Sequence, residues 1–240
     1  HFGEKEIHFY TSPGRTEIGG NHTDHNWGRV LAGAVNLDNV CVAAPNGTDI
    51  IRIVSEGYPS FQVDLASLLP DKREKYTSAA LVRGICSRFR DLGFTTGGFD
   101  ACIDGGVPKG SGLSSSASFE VLIGAILSEM FNEGKVDPIQ NAIVGQYSEN
   151  NYFGKPCGLM DQMACAFGGI SSIDFGRPEK PRWTRPTVKS GQFVQAMLMT
   201  FIGSPMMDGC GWGEVQRDRF CPEQAHLTGD DLVGFEVQGR

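Results

Sequence analysis

The chain has 240 residues, 40% hydrophobic and 20% charged, which suits an ordinary globular protein with a sizeable core and one or two domains. Its formal net charge is −7 and no basic stripe offsets it, which argues against nucleic acid or an anionic membrane as a partner. Any phosphate it binds must therefore be held by local backbone donors, a few cations and metal.

Seven cysteines, from Cys41 to Cys221, show neither zinc spacing nor a C-x-x-C pair, and read as reduced thiols of a cytoplasmic protein. No secretory signal and no apolar run long enough to span a bilayer stands out. The first residue is not Met and a strand-like run begins at Ile7, so the sequence reads as starting inside a longer gene product.

Short β-rich runs fill the first third: Ile7–Thr11, Val30–Asn36, Val40–Ala44 and Ile50–Val54, separated by Gly, Pro, Asn and Asp. They predict a sheet. Between Glu74 and Leu92, Val82, Ile85, Phe89 and Leu92 recur at helical spacing and Gly93 supplies the stop. Phe99–Ile103 returns to strand. Ala117 to Phe131 is apolar nearly all round, which predicts a buried helix, and Pro138 opens another through Tyr152. Met160–Phe167 reads as a short helix and Ile170–Phe175 as a strand. Strands and helices in this mixed order predict an α+β or α/β domain, with helices covering one face of a sheet. From about Arg177, Pro178, Pro181, Pro186, Pro205 and Pro222 with Gly209, Gly211 and Gly213 interrupt every periodicity, and only Phe193–Ile202 reads as a strand.

Three polar clusters punctuate this pattern. Pro108-Lys109-Gly110-Ser111-Gly112-Leu113-Ser114-Ser115-Ser116-Ala117-Ser118 leads straight into the buried helix. Glycines let the backbone approach an anion, and the first helical turn offers unpaired N–H groups at a positive dipole end, the chemistry of a phosphate cradle. A Gly-Ser loop that merely caps a helix looks similar, and no Gly-Lys-Ser or Gly-Lys-Thr closes the loop as in a Walker A motif. Upstream, Pro13 to Asn26 crowds Arg15, Asn21, His22, Thr23 and Asp24 beside glycines, a density that suits a polyhydroxylated ligand or a solvated turn. Third, Gly158-Leu159-Met160-Asp161-Gln162 sets one carboxylate in an apolar context, as a proton acceptor, a cap or an ion-pair partner.

In order and spacing the three clusters together resemble the GHMP small-molecule kinases, and within them the galactokinases, over roughly residues 5–176. The resemblance implies an α+β, sandwich-like N-terminal domain over 1–176, a mixed sheet covered by helices. It leaves 177–240 as a poorly recognisable tail, unrelated sequence or the start of a truncated C-terminal domain. It also implies ATP-dependent phosphorylation of galactose at its anomeric hydroxyl, with ATP and Mg2+. Asp161 would then take the hydroxyl proton and Arg15 would stabilise the transferring phosphoryl group. Gly110, Ser111, Gly112, Leu113, Ser114, Ser115 and Ser116 would wrap the phosphates, Ser55 would touch the nucleotide, and Ser116 and Glu149 would serve the magnesium. Asn21, His22, Thr23, Asp24 and Gly158 would line the sugar together with Asp161.

Two departures bear on specificity. His25 stands where the family more often has an aromatic, and Asn21 where many galactokinases have Glu. A neutral amide replaces a charged acceptor there, and charge-assisted bonds are roughly twice as strong as neutral ones. Preference between galactose and a relative such as N-acetylgalactosamine therefore stays open. A catalytically silent sugar- and ATP-binding sensor is the other reading, but Arg15, Asp161 and the serine run are all present, and a sensor would be free to lose them. Kinases of mevalonate or homoserine fit less well, since His22-Thr23-Asp24 favours a sugar.

Overall fold

The computed structural model describes residues 6–177 and 180–186. Val30, Ala32, Val35, Cys41 and Ala43 are buried along one extended segment while Asn36, Val40 and Pro45 are exposed, as expected of a strand with one face on a core. Among the described residues the strands are β1 (His8–Gly19), β2 (Arg29–Pro45), β3 (Ile50–Ser55), β4 (Phe61–Asp64), β5 (Phe99–Gly105), β6 (Ile170–Asp174) and β7 (Arg182–Thr184). The helices are α1 (Ser78–Asp91), α2 (Ser115–Asn132), α3 (Pro138–Ser148) and α4 (Met160–Phe167). The strands form a mixed sheet of order β4-β3-β5-β2-β6-β7, with β1 paired antiparallel along β2. The β3–β5 pair is parallel.

The α+β architecture is the expected one, with differences in detail that have physical causes. The two strands expected at Val30–Asn36 and Val40–Ala44 are one long strand, β2. Asp38 and Asn39 look like turn residues, but each has a partner that suits an extended chain. Asp38 Oδ2 accepts from the Thr11 hydroxyl at 3.0 Å, and Asn39 Nδ2 donates to Ser118 Oγ at 2.9 Å. Ser118 Oγ in turn donates to the Ser12 carbonyl at 2.8 Å, so a buried relay ties the start of α2 to both β1 and β2. The helix expected through Tyr152 ends at Ser148 and passes into a single π turn, Glu149–Phe153, in which the Gly154 and Lys155 N–H groups both donate to the Glu149 carbonyl.

The main core lies between the sheet and helices α1 and α2, where Ile51, Ile53, Phe89, Phe99, Leu122 and Ile126 are fully buried. Side chains of this size contribute about 1.5–3 kcal/mol each when removed from water. A second cluster, Val30, Ala32, Ala142, Met160, Met163, Ile173 and Phe175, seats α4 against β2, β6 and α3. Strand β7 carries the sheet past residue 176. Its Trp183 stacks on Phe167 with ring centres 4.1 Å apart and donates to Ser171 Oγ at 2.9 Å. The chain divides into two units, His1–Thr184 and Arg185–Arg240. Apart from residues 185 and 186 the second unit, with the strand expected at Phe193–Ile202, lies outside the described residues.

Candidate active site

Strand β1 is interrupted where the Pro13–Asn26 cluster begins: its register on β2 slips between Pro13 and Arg15. A Cβ on Gly14 would lie 2.9 Å from the Leu113 carbonyl oxygen, so glycine is what lets the Gly-Ser loop close onto the strand. The Arg15 N–H then donates to that carbonyl at 3.0 Å. The Arg15 side chain, 8% exposed, turns inward. Its Nε donates to Asp161 Oδ1 at 2.8 Å, its Nη2 to Asp161 Oδ2 at 2.7 Å, and its Nη1 to the Gly112 carbonyl at 2.6 Å. Such a two-point grip on a carboxylate is a geometry that only a guanidinium supplies. Asp161 stands in the first turn of α4, and Ser114, immediately before α2, donates its hydroxyl to Asp161 Oδ2. A strand, a loop and two helices thus meet at one carboxylate.

A second group holds the start of α4 from the other side. His22 and Asn21 both have left-handed backbone, with φ of 52° and 53°, and lead into a short 3-10 turn, Thr23–Asn26. Thr23 Oγ1 closes this turn by donating to the Arg29 carbonyl at 3.1 Å. The turn buries Asp24, whose Oδ2 accepts from the Met160 N–H at 3.1 Å. Gly158 makes room for it: a Cβ there would fall 1.8 Å from Asp24 Oδ2. Asp24 Oδ1 is buried without a partner among the described residues, an acceptor suited to a ligand hydroxyl. The His22 N–H donates to Glu17 Oε1 at 2.8 Å, and its Nε2 lies 3.3 Å from Glu17 Oε2.

A third group flanks Asp161. Ser116 Oγ donates to Glu149 Oε1 at 3.1 Å, and Gln162 Nε2 donates both to Glu149 Oε2 at 3.1 Å and to Glu120 Oε2 at 2.9 Å. Lys155 Nζ lies 3.5 Å from Glu149 Oε1. Glu120 and Glu149 are both buried. Burial above all, and then the Glu149 charge, push the Glu120 carboxyl well above the usual carboxylate range, which favours its neutral form. Burial and the same Glu149 charge push the Cys157 thiol up.

Residues 80–169 match the family model of the GHMP kinases N terminal domain, and residues 1–45 match the galactokinase galactose-binding signature. The described unit has the fold of a GHMP kinase N-terminal domain. Over 168 residues the chain is 33% identical to a curated galactokinase of Clostridium tetani, a match that takes in 70% of this chain and 42% of that one. Among solved structures, Lactococcus lactis galactokinase complexed with galactose superposes with a TM-score of 0.69 at 28% identity, covering 77% of this chain and 48% of the other. Methanococcus jannaschii mevalonate kinase, at 17% identity and a TM-score of 0.63, shares the fold over 79% of this chain and 58% of its own. The chain spans about half the length of the galactokinases it matches.

Within this domain, Arg15, Gly112, Leu113, Ser114 and Asp161 are joined directly by hydrogen bonds. Ser116 and Glu149 pair beside them, and Asp24, Gly158 and Thr23 share the region where the 3-10 turn meets α4. Gly110 and Gly112 supply positive φ angles of 79° and 76° in the cradle, Ser111 Oγ folds back onto the Pro108 carbonyl at 2.7 Å, and Ser115 opens α2. Asn21 is exposed. Ser55 ends β3 opposite Ile103, and among the described residues no hydrogen bond joins it to these groups.

Three residues escape a reading of the sequence: Glu17, Glu120 and Gln162. Glu120 was detectable, because a carboxylate inside a helix that is apolar nearly all round must be satisfied from elsewhere. Gln162 offers only its place beside Asp161, and Glu17 offers no local signal.

Proposed function

We propose that this domain supplies the base, the phosphate cradle and part of the sugar pocket of a kinase that transfers the γ-phosphoryl group of ATP to the anomeric hydroxyl of galactose. The observation that carries this reading is the bidentate Arg15–Asp161 pair, at 2.8 and 2.7 Å, beside the start of α2. A carboxylate so placed can take the proton of an attacking hydroxyl, and the guanidinium stands where negative charge on a transferring phosphoryl group would need an opposite charge. The N-cap residue Ser114 makes no side-chain cap, which leaves first-turn N–H groups of α2 for phosphate oxygens.

The match of residues 1–45 to the galactose-binding signature and the likeness to a galactose-bound structure support galactose as the acceptor. The unpartnered Asp24 Oδ1 would accept from a sugar hydroxyl, with His22 held at the rim by Glu17. Asn21 would contribute an amide there.

Magnesium fits the donor set. Among the described residues no three His, Cys, Asp or Glu side chains gather to hold a metal by themselves, whereas Ser116 Oγ and Glu149 Oε1 are hard oxygens 3.1 Å apart. Such a pair suits an ion that completes its octahedron with phosphate oxygens and water. When bound, the ion would neutralise charge on the β- and γ-phosphates.

A cytoplasmic location belongs to the same proposal. Among the described residues, Cys41, Cys86, Cys102, Cys157 and Cys165 are free thiols and no helix is long and apolar enough to cross a membrane. The test is a coupled ADP-release assay on the chain and on Asp161→Asn with galactose, N-acetylgalactosamine, glucose and mevalonate. Galactose-dependent ADP release that falls about a hundredfold or more in the variant is expected. Equal turnover in the variant, or release driven by mevalonate and no sugar, overturns the reading.

A further inference from the structure

Ser114 departs from local expectation in three ways. A serine immediately before a helix ordinarily turns its hydroxyl onto the second or third N–H of that helix, yet Ser114 makes no such bond. Its backbone is left-handed, with φ 58° and ψ 55°, a conformation unfavourable for any residue with a Cβ. Its hydroxyl is committed instead to Asp161 Oδ2. Local rules broken together at one position point to a functional constraint on that side chain.

The consequence lies in how the carboxylate is filled. An ionised carboxylate has about four acceptor positions, two on each oxygen. Among the described residues, Oδ2 receives both Arg15 Nη2 and Ser114 Oγ, whereas Oδ1 receives Arg15 Nε alone. One acceptor position stays vacant, on Oδ1, and the Asp161 side chain is 30% exposed, enough for a ligand to reach it. We infer that Ser114 is a positioning residue that fills Oδ2 and so directs the proton of the attacking hydroxyl to Asp161 Oδ1.

This rests on the phosphotransfer reading and adds the atom to it. The substrate O–H bond breaks with its proton passing to Oδ1. The hydroxyl oxygen forms the new bond to the γ-phosphorus, and the bond from that phosphorus to the β–γ bridging oxygen breaks, the electron pair leaving with ADP. Ser114 is then not a phosphate ligand through its hydroxyl, although it lies within the cradle. It couples the cradle to the base, so that the loop holding the nucleotide also orients the carboxylate.

The experiment uses the full chain with Ser114→Gly, which removes the hydroxyl and suits the left-handed backbone, and Ser114→Ala, which removes the hydroxyl alone. First, a double-mutant cycle with Asp161→Ala is read by urea unfolding. The effect of losing the hydroxyl is expected to differ about tenfold in unfolding constant between the two backgrounds. Second, Mg-ATP affinity is titrated by calorimetry, and both Ser114 variants are expected within about twofold of the parent, while kcat falls about tenfold or more at unchanged KM for ATP. Additive stability effects in the cycle overturn the inference, as does nucleotide binding about tenfold weaker in Ser114→Gly, which would return the hydroxyl to the phosphates. Absence of any turnover in the parent chain counts against the kinase reading, and the cycle still decides whether Ser114 is bound to Asp161.

Discussion

Replacing Gly158 by alanine tests how tightly the 3-10 turn and α4 are joined. The new Cβ would stand 1.8 Å from Asp24 Oδ2 and 2.5 Å from its Cγ, so the carboxylate must withdraw by about 1 Å or more. That movement breaks its bond from the Met160 N–H, now 3.1 Å long and buried. A hydrogen bond to a charged acceptor is worth about 1.5–3 kcal/mol and crowding of a packed site costs about 1–3 kcal/mol, so Gly158→Ala should destabilise the domain by about 2.5–6 kcal/mol. Against a total stability of about 5–15 kcal/mol for an ordinary domain, this is a large fraction. Urea unfolding followed by circular dichroism should show a lower midpoint at unchanged slope. In an Asp24→Gly background, which removes the three atoms nearest the new methyl group, the same substitution should cost less than about 1 kcal/mol. Equal losses in the two backgrounds, or a loss below about 1 kcal/mol in the parent, would refute the steric account.

Four further outcomes are expected. Arg15→Lys replaces three guanidinium bonds of 2.6–2.8 Å by a single ammonium, so galactose-dependent ADP release should fall about a hundredfold while the thermal midpoint drops only modestly, because Asp161 is partly exposed. The Glu120 carboxyl is raised above its ordinary value of 4.5 by burial, so the stability it confers is full below that pH and is lost as pH rises toward the raised folded value. Glu120→Gln should flatten this dependence in urea unfolding across pH 4–8 and stabilise the chain at pH 7, since an amide can still accept from Gln162 Nε2 and can also donate to the unpartnered Gln162 Oε1; a less stable variant at pH 7 contradicts the neutral form. Glu149→Gln should raise the magnesium concentration needed for half-maximal nucleotide binding about tenfold or more, measured by calorimetry at fixed ATP. The buried thiols of Cys41 and Cys86, both pushed up to about 12 by burial, should resist a disulfide reagent in the native chain and react once urea unfolds it.

Much of the framework was legible because it is local. Helix α2 announces itself by an apolar run too long for a strand, and α3 by Pro138 after Asp137, whose side chain forms a capping box with Gln140. The continuity of β2 was not legible, because the partners that keep Asp38 and Asn39 extended come from Thr11 and Ser118, far along the chain. β4 and β7 span only four and three residues, below the length at which alternation is a signal. In the site, the residue types of the Arg15 and Asp161 segments suggested a pair, but 146 residues separate the two and only the closure of β1 onto the cradle loop sets their geometry. That Ser114 would serve the carboxylate instead of its own helix could not be read locally, since a serine before a helix looks the same in either role.

The break in β1 at Pro13–Gly14 has a consequence for how this protein comes into being. Because it brings the strand's Arg15 N–H to the Leu113 carbonyl and the guanidinium to Gly112 and Asp161, the arginine–aspartate pair arises only when β1, the cradle and α4 have all docked. Chains that have formed their local helices but not this long-range closure lack the pair altogether. Nucleotide capture during refolding would therefore lag behind the growth of helical signal, and its half-time would time the final assembly step.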